Sequence, residues 1–243
     1  MYALLLRESK LTFGNSRIGY LWAIISPIIG ISLLVIIFSF ASREPPFGQS
    51  LALFFSTGFL VFEFYRKLSV SLMRCLTSNK GLLVYPIVHP ISIISARFLL
   101  ITITYIIIFF LFYSALIILG LASYPNNYIE ILCAFFSITL FGLSIGVFNL
   151  MMIKIWRSWE YFFQILNRPL FFISGIFFIP SLLPEKAIYY LKWNPIMHVI
   201  EWMRVGYYPN YYSSILDKNY ILCLSFILLF LGLLGERNIR KMY

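Results

Sequence analysis

The segment from position 19 to position 40 constrains the fold more than any other part of the chain. It contains no charged residue and is rich in isoleucine, leucine and phenylalanine. A helix of this length reaches about 33 Å, which is enough to cross the hydrocarbon core of a bilayer. Basic residues at Arg7, Lys10 and Arg17 precede it. Because charge is expensive in hydrocarbon, we expect these cations to stay at the cytoplasmic surface while the apolar segment crosses.

Further apolar segments predict an all-α membrane protein with six transmembrane helices. The predicted spans cover residues 19–40, 51–76, 91–121, 129–153, 161–179 and 220–234. The composition agrees, since 61% of residues are apolar and 12% are charged, whereas about a quarter are charged in an ordinary soluble domain. No soluble core of this size could hide so much apolar surface, so lipid must be part of the solvent.

Three stretches do not fit a complete crossing. Residues 1–18 predict a basic, amphipathic helix that lies on the membrane surface and ends at Gly14-Asn15-Ser16. Residues 78–90 are short and interrupted by prolines. Residues 180–218 contain four prolines and many aromatic residues, and we interpret them as re-entrant or interfacial helices between the fifth and sixth spans.

The distribution of Lys and Arg predicts the orientation. With both termini inside, internal segments hold Arg7, Lys10, Arg17, Arg74, Lys80, Lys154, Arg157, Arg237, Arg240 and Lys241, whereas external segments hold Arg43, Lys186, Lys192, Arg204 and Lys218. The excess on the inner side predicts cytoplasmic termini. The net charge of +10 is then a feature of membrane topology rather than of nucleic-acid binding.

Sequence motifs for catalysis and metal binding are missing. No Gly-x-x-x-x-Gly-Lys-Ser/Thr loop is present, so the chain does not bind and hydrolyse ATP by that route. The two histidines and three cysteines have no metal-ligand spacing. We therefore predict no catalytic residue, no metal site and no bound cofactor. A membrane-embedded transferase built from dispersed residues and a scaffold subunit stay open as other classes.

The second span carries charges at an unusual depth. Glu63, Arg66 and Lys67 lie at i, i+3 and i+4, on one helix face. One interpretation is a self-neutralising Glu–Arg pair whose side chains reach the inner interface. The other is a cationic channel lining, because one carboxylate does not balance two cations. The neighbouring rings of Phe62 and Tyr65 are candidates for stacking on sugars, with ordinary helix packing as the alternative.

A further cation stands in the fifth span. Arg168 precedes Pro169, and it is a candidate for the cytoplasmic entrance of a channel. Its nearest carboxylate in sequence, Glu160, is about two helical turns away. Direct pairing between the two is the weaker interpretation, because both side chains would have to be extended.

Three blocks of sequence, in order along the chain, resemble one known family. They are Gly19-Tyr20-Leu21-Trp22-Ala23 with Pro27, then Asn79-Lys80-Gly81-Leu82-Leu83 with Tyr85, Pro90-Ile91 and Ala96-Arg97, and finally Arg168-Pro169-Leu170-Phe171 through Phe177, continued by Trp193-Asn194-Pro195 through Glu201. In these blocks the chain is similar to the capsular polysaccharide export permeases of Gram-negative bacteria, within the ABC-2 transporter superfamily. O-antigen or teichoic-acid exporters are the alternative within the superfamily.

The resemblance implies a single ABC-2-type transmembrane domain over residues 1–243 in the bacterial inner membrane. It implies a homodimer that works with two ABC ATPase subunits, which use ATP and Mg²⁺, while this chain binds no cofactor. The transported molecule would be a lipid-linked, usually acidic polysaccharide. Periplasmic and outer-membrane export proteins would carry it onward to the cell surface.

The resemblance also implies a contact with the ATPase. Residues 78–90 would form a coupling segment, with Ser78, Asn79, Lys80, Gly81, Leu82 and Tyr85 as the candidate contact residues. A plain interfacial loop is the alternative. Arg7 and Lys10 fit an ATPase contact and a membrane-surface anchor equally well.

Overall fold

The computed structural model describes residues 2–13, 17–41, 44–83, 85 and 89–240. Within this part of the chain there are ten α-helices and no β-strand. The helices are α1 (Tyr2–Phe13), α2 (Arg17–Phe40), α3 (Leu51–Ser78), α4 (Lys80–Leu83), α5 (Pro90–Ile118), α6 (Tyr128–Ile155), α7 (Trp159–Ile173), α8 (Glu185–Leu191), α9 (Pro195–Tyr207) and α10 (Lys218–Arg240). A single 3-10 turn covers Pro180–Leu182. The all-α prediction is confirmed for the described residues.

Four of these helices are long and apolar enough to cross a membrane. They comprise Leu21–Phe40 of α2, the whole of α5 and α6, and Lys218–Gly235 of α10. Large apolar side chains such as Ile37 and Phe110 are exposed on them. Such a surface suits lipid rather than water, so the chain is a membrane protein.

Helix α3 forms the centre of the bundle. It packs against α2, α5, α6 and α9, and its buried face runs from Leu53 to Leu76. The ring of Phe64 stacks between those of Tyr105 on α5 and Phe135 on α6, with centroid distances of 4.8 and 5.2 Å. Stacked aromatic rings from three helices therefore fix the middle of the core.

Helices α3 and α6 approach closely because α6 presents glycines to α3. A Cβ atom added to Gly146 would lie 2.7 Å from the Cβ atom of Leu72. One added to Gly142 would lie 2.9 Å from the Cδ2 atom of Leu68. Small residues at this spacing are the usual means by which membrane helices bring their backbones together.

Helix α7 is shorter than the fifth predicted span. That span was expected to reach residue 179, but α7 has 15 residues and ends at Ile173, which corresponds to about 22 Å. Gly175 follows with a φ of +80°, a left-handed conformation that turns the chain out of the helix. The predicted end was wrong, because the apolar sequence continues past this turn.

The segment between α7 and α10 folds into the bundle. Eleven of the thirteen residues of α9 are buried, and the helix packs against α6, α3 and α10. Asn194 caps its first turn, since the side-chain Oδ1 atom accepts a hydrogen bond from the backbone amide of Ile196 at 3.1 Å. The prediction of short helices in residues 180–218 is confirmed for α8 and α9.

Candidate functional site

A cleft of about 1100 Å³ opens between α2, α3, α5 and α7, with Thr12 of α1 at its edge. Its walls combine aromatic and charged side chains, among them Trp22, Phe62, Glu63, Arg66, Lys67, Tyr105, Arg168 and Phe171. Five of the six residues predicted to line a channel thus lie around one cavity, and only Tyr65 does not.

The carboxylate of Glu63 is neutralised within α3. The Arg66 Nε atom donates to Glu63 Oε2 at 3.0 Å, and the Arg66 Nη2 atom donates to Glu63 Oε1 at 2.7 Å. Such a two-point contact holds both side chains in one orientation along the helix. The pair matches the self-neutralising interpretation of Glu63 and Arg66, and it leaves Lys67 as the surplus cation of the three.

The surplus charge of the cleft comes from Lys67 on α3 and Arg168 on α7. Both side chains are exposed. Among the residues that the structure describes, neither has a carboxylate within ion-pair distance. Glu160 does not pair with Arg168, because it accepts a hydrogen bond from the Arg74 Nε atom at 2.7 Å and so joins the start of α7 to α3. The cleft therefore presents two cations, from facing helices, to whatever occupies it.

The aromatic residues predicted beside these charges divide between the cleft and the core. Phe62 lines the cleft and packs edge-on against Phe171 of α7, at a centroid distance of 5.2 Å. Tyr65 lies away from the cleft, and its ring stacks on Phe141 of α6 at 5.4 Å. Trp22 is exposed at the cleft wall. Trp22 is thus available to an occupant, whereas Phe62 is only 2% exposed and Tyr65 packs between helices.

The predicted coupling segment begins where α3 ends. Ser78 is the last residue of α3, Asn79 is its C-cap, and the four-residue helix α4 follows at once. Exposed positions are Ser78, Lys80, Gly81 and Tyr85, with Leu82 half-buried. Residues 84 and 86–88 lie outside the described residues. An added Cβ atom on Gly81 would meet nothing within 4 Å among the described atoms, so this corner is open to a partner.

The N-terminal helix places its cations and its carboxylate on different faces. Arg7 and Lys10 are exposed, whereas Glu8 is fully buried. The side chain of Arg17 lies outside the described residues. Sequence reasoning missed Glu8. A signal was present in the sequence: Glu8 follows Leu4 and Leu5 by one helical turn, which places it on the apolar face of the helix.

A second buried charge that sequence reasoning missed holds α9 in place. The guanidinium of Arg204 is fully buried and donates to Glu201 Oε1 at 3.2 Å. It also donates to the carbonyl oxygens of Phe178 at 3.2 Å and Ile176 at 3.4 Å. The hydroxyl of Tyr211 donates to Glu201 Oε1 at 2.8 Å. Burial, and then the charge of Glu201, raise the pKa of Tyr211 above its ordinary value, so the phenol stays a neutral donor.

Apolar helices that surround a cationic cleft are typical of the membrane subunit of a transporter. A profile of the ABC-2 type transporter family matches residues 1–208, and the chain belongs to that family. No group of three His, Cys, Asp or Glu side chains converges as metal ligands in the described part of the chain.

Proteins of known role align over almost the entire chain. The polysialic acid transport protein KpsM of Escherichia coli is 31% identical over 231 residues, which cover 95% of this chain and 90% of that protein. The capsule polysaccharide export inner-membrane protein CtrC of Neisseria meningitidis serogroup A is 27% identical, with 95% and 87% covered. The corresponding protein BexB of Haemophilus influenzae is 26% identical, with 98% and 90% covered.

Proposed function

We propose that this chain is the permease subunit of an ATP-driven exporter that moves a lipid-linked, acidic capsular polysaccharide from the cytoplasm to the periplasm. The observation that carries the proposal is the cleft, where Lys67 and Arg168 have no carboxylate partner among the described residues. Two of the helices that border it, α2 and α5, are long and apolar enough to cross a membrane. The relatives support the substrate class, since their names specify polysialic acid and capsule polysaccharide. The protein acts as a transport subunit of the inner membrane and contributes no catalytic residue.

The cleft suits a polymer that carries negative charge and sugar rings. Lys67 and Arg168 attract carboxylate or phosphate groups from two sides of the cleft. Trp22 and Phe171 offer aromatic faces along the same walls, and Phe62 packs edge-on against Phe171. The cations attract the charged groups of the polymer, and the aromatic rings stack on its sugars. A polymer with repeating units can therefore bind in many positions along the cleft.

The proposed topology has six spans with both termini in the cytoplasm. Helices α3 and α7 add to the four long apolar helices. The charges of α3 face the cleft, where they avoid lipid. Helices α8 and α9 form the re-entrant and interfacial region on the external side. The excess of Lys and Arg in the inner segments supports this orientation.

The proposed assembly contains two copies of this chain and two ABC ATPase subunits. The cleft is open on one side, and a second copy would close it into a continuous path. The partner ATPase would bind ATP and Mg²⁺ and contact residues 78–90, where Lys80, Gly81 and Tyr85 are exposed. Arg7 and Lys10 lie on the exposed face of α1 and would contact the ATPase or the lipid headgroups. Periplasmic and outer-membrane export proteins would receive the polymer.

The general proposal is tested by deleting the gene in its source organism. Acidic polysaccharide is then measured separately on the cell surface and inside the cell. Loss outside with accumulation inside is the expected result. Absence from both places would instead indicate a membrane-embedded transferase, and loss of a different surface polymer would indicate an O-antigen or teichoic-acid exporter.

The role of the cleft is tested with the double variant Lys67→Gln/Arg168→Gln. Both substitutions remove the surplus charge without leaving a buried carboxylate unpaired, so the protein should accumulate normally. Surface polysaccharide should fall by about tenfold, as for the loss of charge-assisted hydrogen bonds worth about 1.4 kcal/mol in total. Lys186→Gln is the matched control, because Lys186 is an exposed cation of α8 outside the cleft. Unchanged export by the double variant would show that the charges of the cleft take no part in transport.

A further inference from the structure

The N-terminal helix is joined to the bundle by a buried polar cluster. Glu8 of α1 uses both carboxylate oxygens: Oε1 accepts from the Asn79 Nδ2 atom at 2.6 Å, and Oε2 accepts from the Arg97 Nε atom. Arg97 also donates from Nη1 to the Ser71 hydroxyl at 3.3 Å. We name Glu8, Asn79 and Arg97 the α1 anchor.

All three residues of the α1 anchor are removed from solvent. Glu8 and Asn79 are fully buried, and Arg97 is 5% exposed. They come from three helices, because Glu8 lies in α1, Asn79 caps α3 and Arg97 lies one to two turns into α5. The Asn79 Nδ2 atom also donates to the carbonyl oxygen of Cys75 at 2.9 Å. The side-chain amide of Asn79 therefore caps the end of α3 and also binds Glu8 of α1.

A membrane-surface helix does not require this arrangement. An apolar face and exposed cations such as Arg7 and Lys10 suffice to keep such a helix at the interface. A buried ion pair adds little net stability compared with apolar packing, because the desolvation of both charges offsets their attraction. What the pair does provide is a single geometry, since two charge-assisted hydrogen bonds fix Glu8 in distance and direction. The α1 anchor therefore fixes position more than it adds stability.

We propose that Glu8 is a positioning residue that locks α1 to the junction of α3 and α4, so that α1, the end of α3 and the start of α5 move as one unit. The inference rests on the proposed function, in which a partner ATPase pushes on α4. Asn79 is directly followed by α4, so a displacement of α4 reaches α1 through one side chain. Helix α1 also borders the cleft through Thr12. The motion of the coupling segment is thereby delivered to the cleft wall.

The test uses the double variant Glu8→Gln/Arg97→Gln in the full complex with the ATPase. A single substitution would strand a buried charge and could prevent folding, whereas the double variant removes both charges together. Ser9→Ala is the matched control, because the Ser9 hydroxyl donates only to Leu6 O within α1, at 3.1 Å. The measured quantities are the amount of assembled complex, its ATP hydrolysis in lipid nanodiscs, and surface polysaccharide in cells, normalised to that amount.

The double variant should assemble with the ATPase and hydrolyse ATP. Its export per ATP hydrolysed should fall by about tenfold, because charge-assisted hydrogen bonds are replaced by weaker neutral ones. Ser9→Ala should match the wild type. Wild-type export per ATP in the double variant would overturn the proposal. Failure of the double variant to assemble would also overturn it, because the cluster would then serve folding alone. A wild-type complex that exports nothing would refute the proposed function instead.

Discussion

Replacing Arg204 with methionine should destabilise the protein by about 3–5 kcal/mol, the usual cost of stranding one partner of a buried ion pair. Methionine fills much of the same volume, so the change is mainly one of charge and hydrogen bonding. The carboxylate of Glu201 is 1% exposed and would keep only the hydroxyl of Tyr211 as a partner. The carbonyl oxygens of Ile176 and Phe178 would each lose a donor as well.

A second substitution, added to the first, distinguishes the cost of the stranded buried charge from the cost of the lost hydrogen bonds. In Arg204→Met/Glu201→Gln no charge remains buried in this cluster, and the glutamine Oε1 atom can still accept from Tyr211. The two carbonyl oxygens stay unpaired, so the double variant should remain about 1–2 kcal/mol less stable than the wild type. The double variant should thus be more stable than the single variant, although it carries one more change.

The assay is chemical unfolding of the purified protein in detergent micelles, followed by tryptophan fluorescence. Trp202 lies in the same helix and reports the loss of packing around α9. Lys186→Met is the control, because Lys186 is exposed, and it should stay within about 0.5 kcal/mol of the wild type. A loss below about 1 kcal/mol for Arg204→Met, or a double variant no more stable than the single, would refute the reasoning from a buried ion pair.

The remaining predictions concern the glycines. Gly146→Ala should lower the free energy of unfolding by about 1–3 kcal/mol, because its Cβ atom would meet the Cβ atom of Leu72, which cannot move aside. Gly142→Ala should cost less, since a terminal methyl of Leu68 can rotate away; the opposite order in the same unfolding assay would contradict this packing. Gly81→Pro should abolish export, because proline drives Lys80, the first residue of α4, out of the helical region and so displaces the start of α4. Gly81→Ala, which meets no described atom within 4 Å, should export normally, and normal surface polysaccharide in Gly81→Pro would argue against a coupling role.

The long helices could be predicted from the sequence because their apolar runs are bounded by charges, prolines or glycines. Helix α2 ends at Phe40 and α3 begins at Leu51, as predicted. The end of α7 could not be predicted in this way. Apolar residues continue on both sides of Gly175, and hydropathy does not report the sign of φ at a glycine.

The partners of the charged residues could not be predicted from a single sequence. Local spacing correctly suggested Glu63 with Arg66, because an i, i+3 pair depends on one helix alone. Glu160 instead binds Arg74, and Glu8 binds Arg97, which lies far away in the chain. Such pairs depend on which helices become neighbours, and that is decided by packing across the whole bundle.

The charges of α3 also bear on how the chain enters the membrane. Helices α2, α5, α6 and α10 are long and apolar enough to cross a membrane, whereas α3 is not among the helices that meet this condition. Each Lys or Arg at the centre of a helix opposes insertion by about 2.5–3.5 kcal/mol at the translocon. Yet α3 becomes the core, and its neighbours α5 and α6 are synthesised after it. The ribosome thus delivers the central helix before α5 and α6, which shelter much of it, and we expect insertion of α3 to be completed only when these later helices arrive.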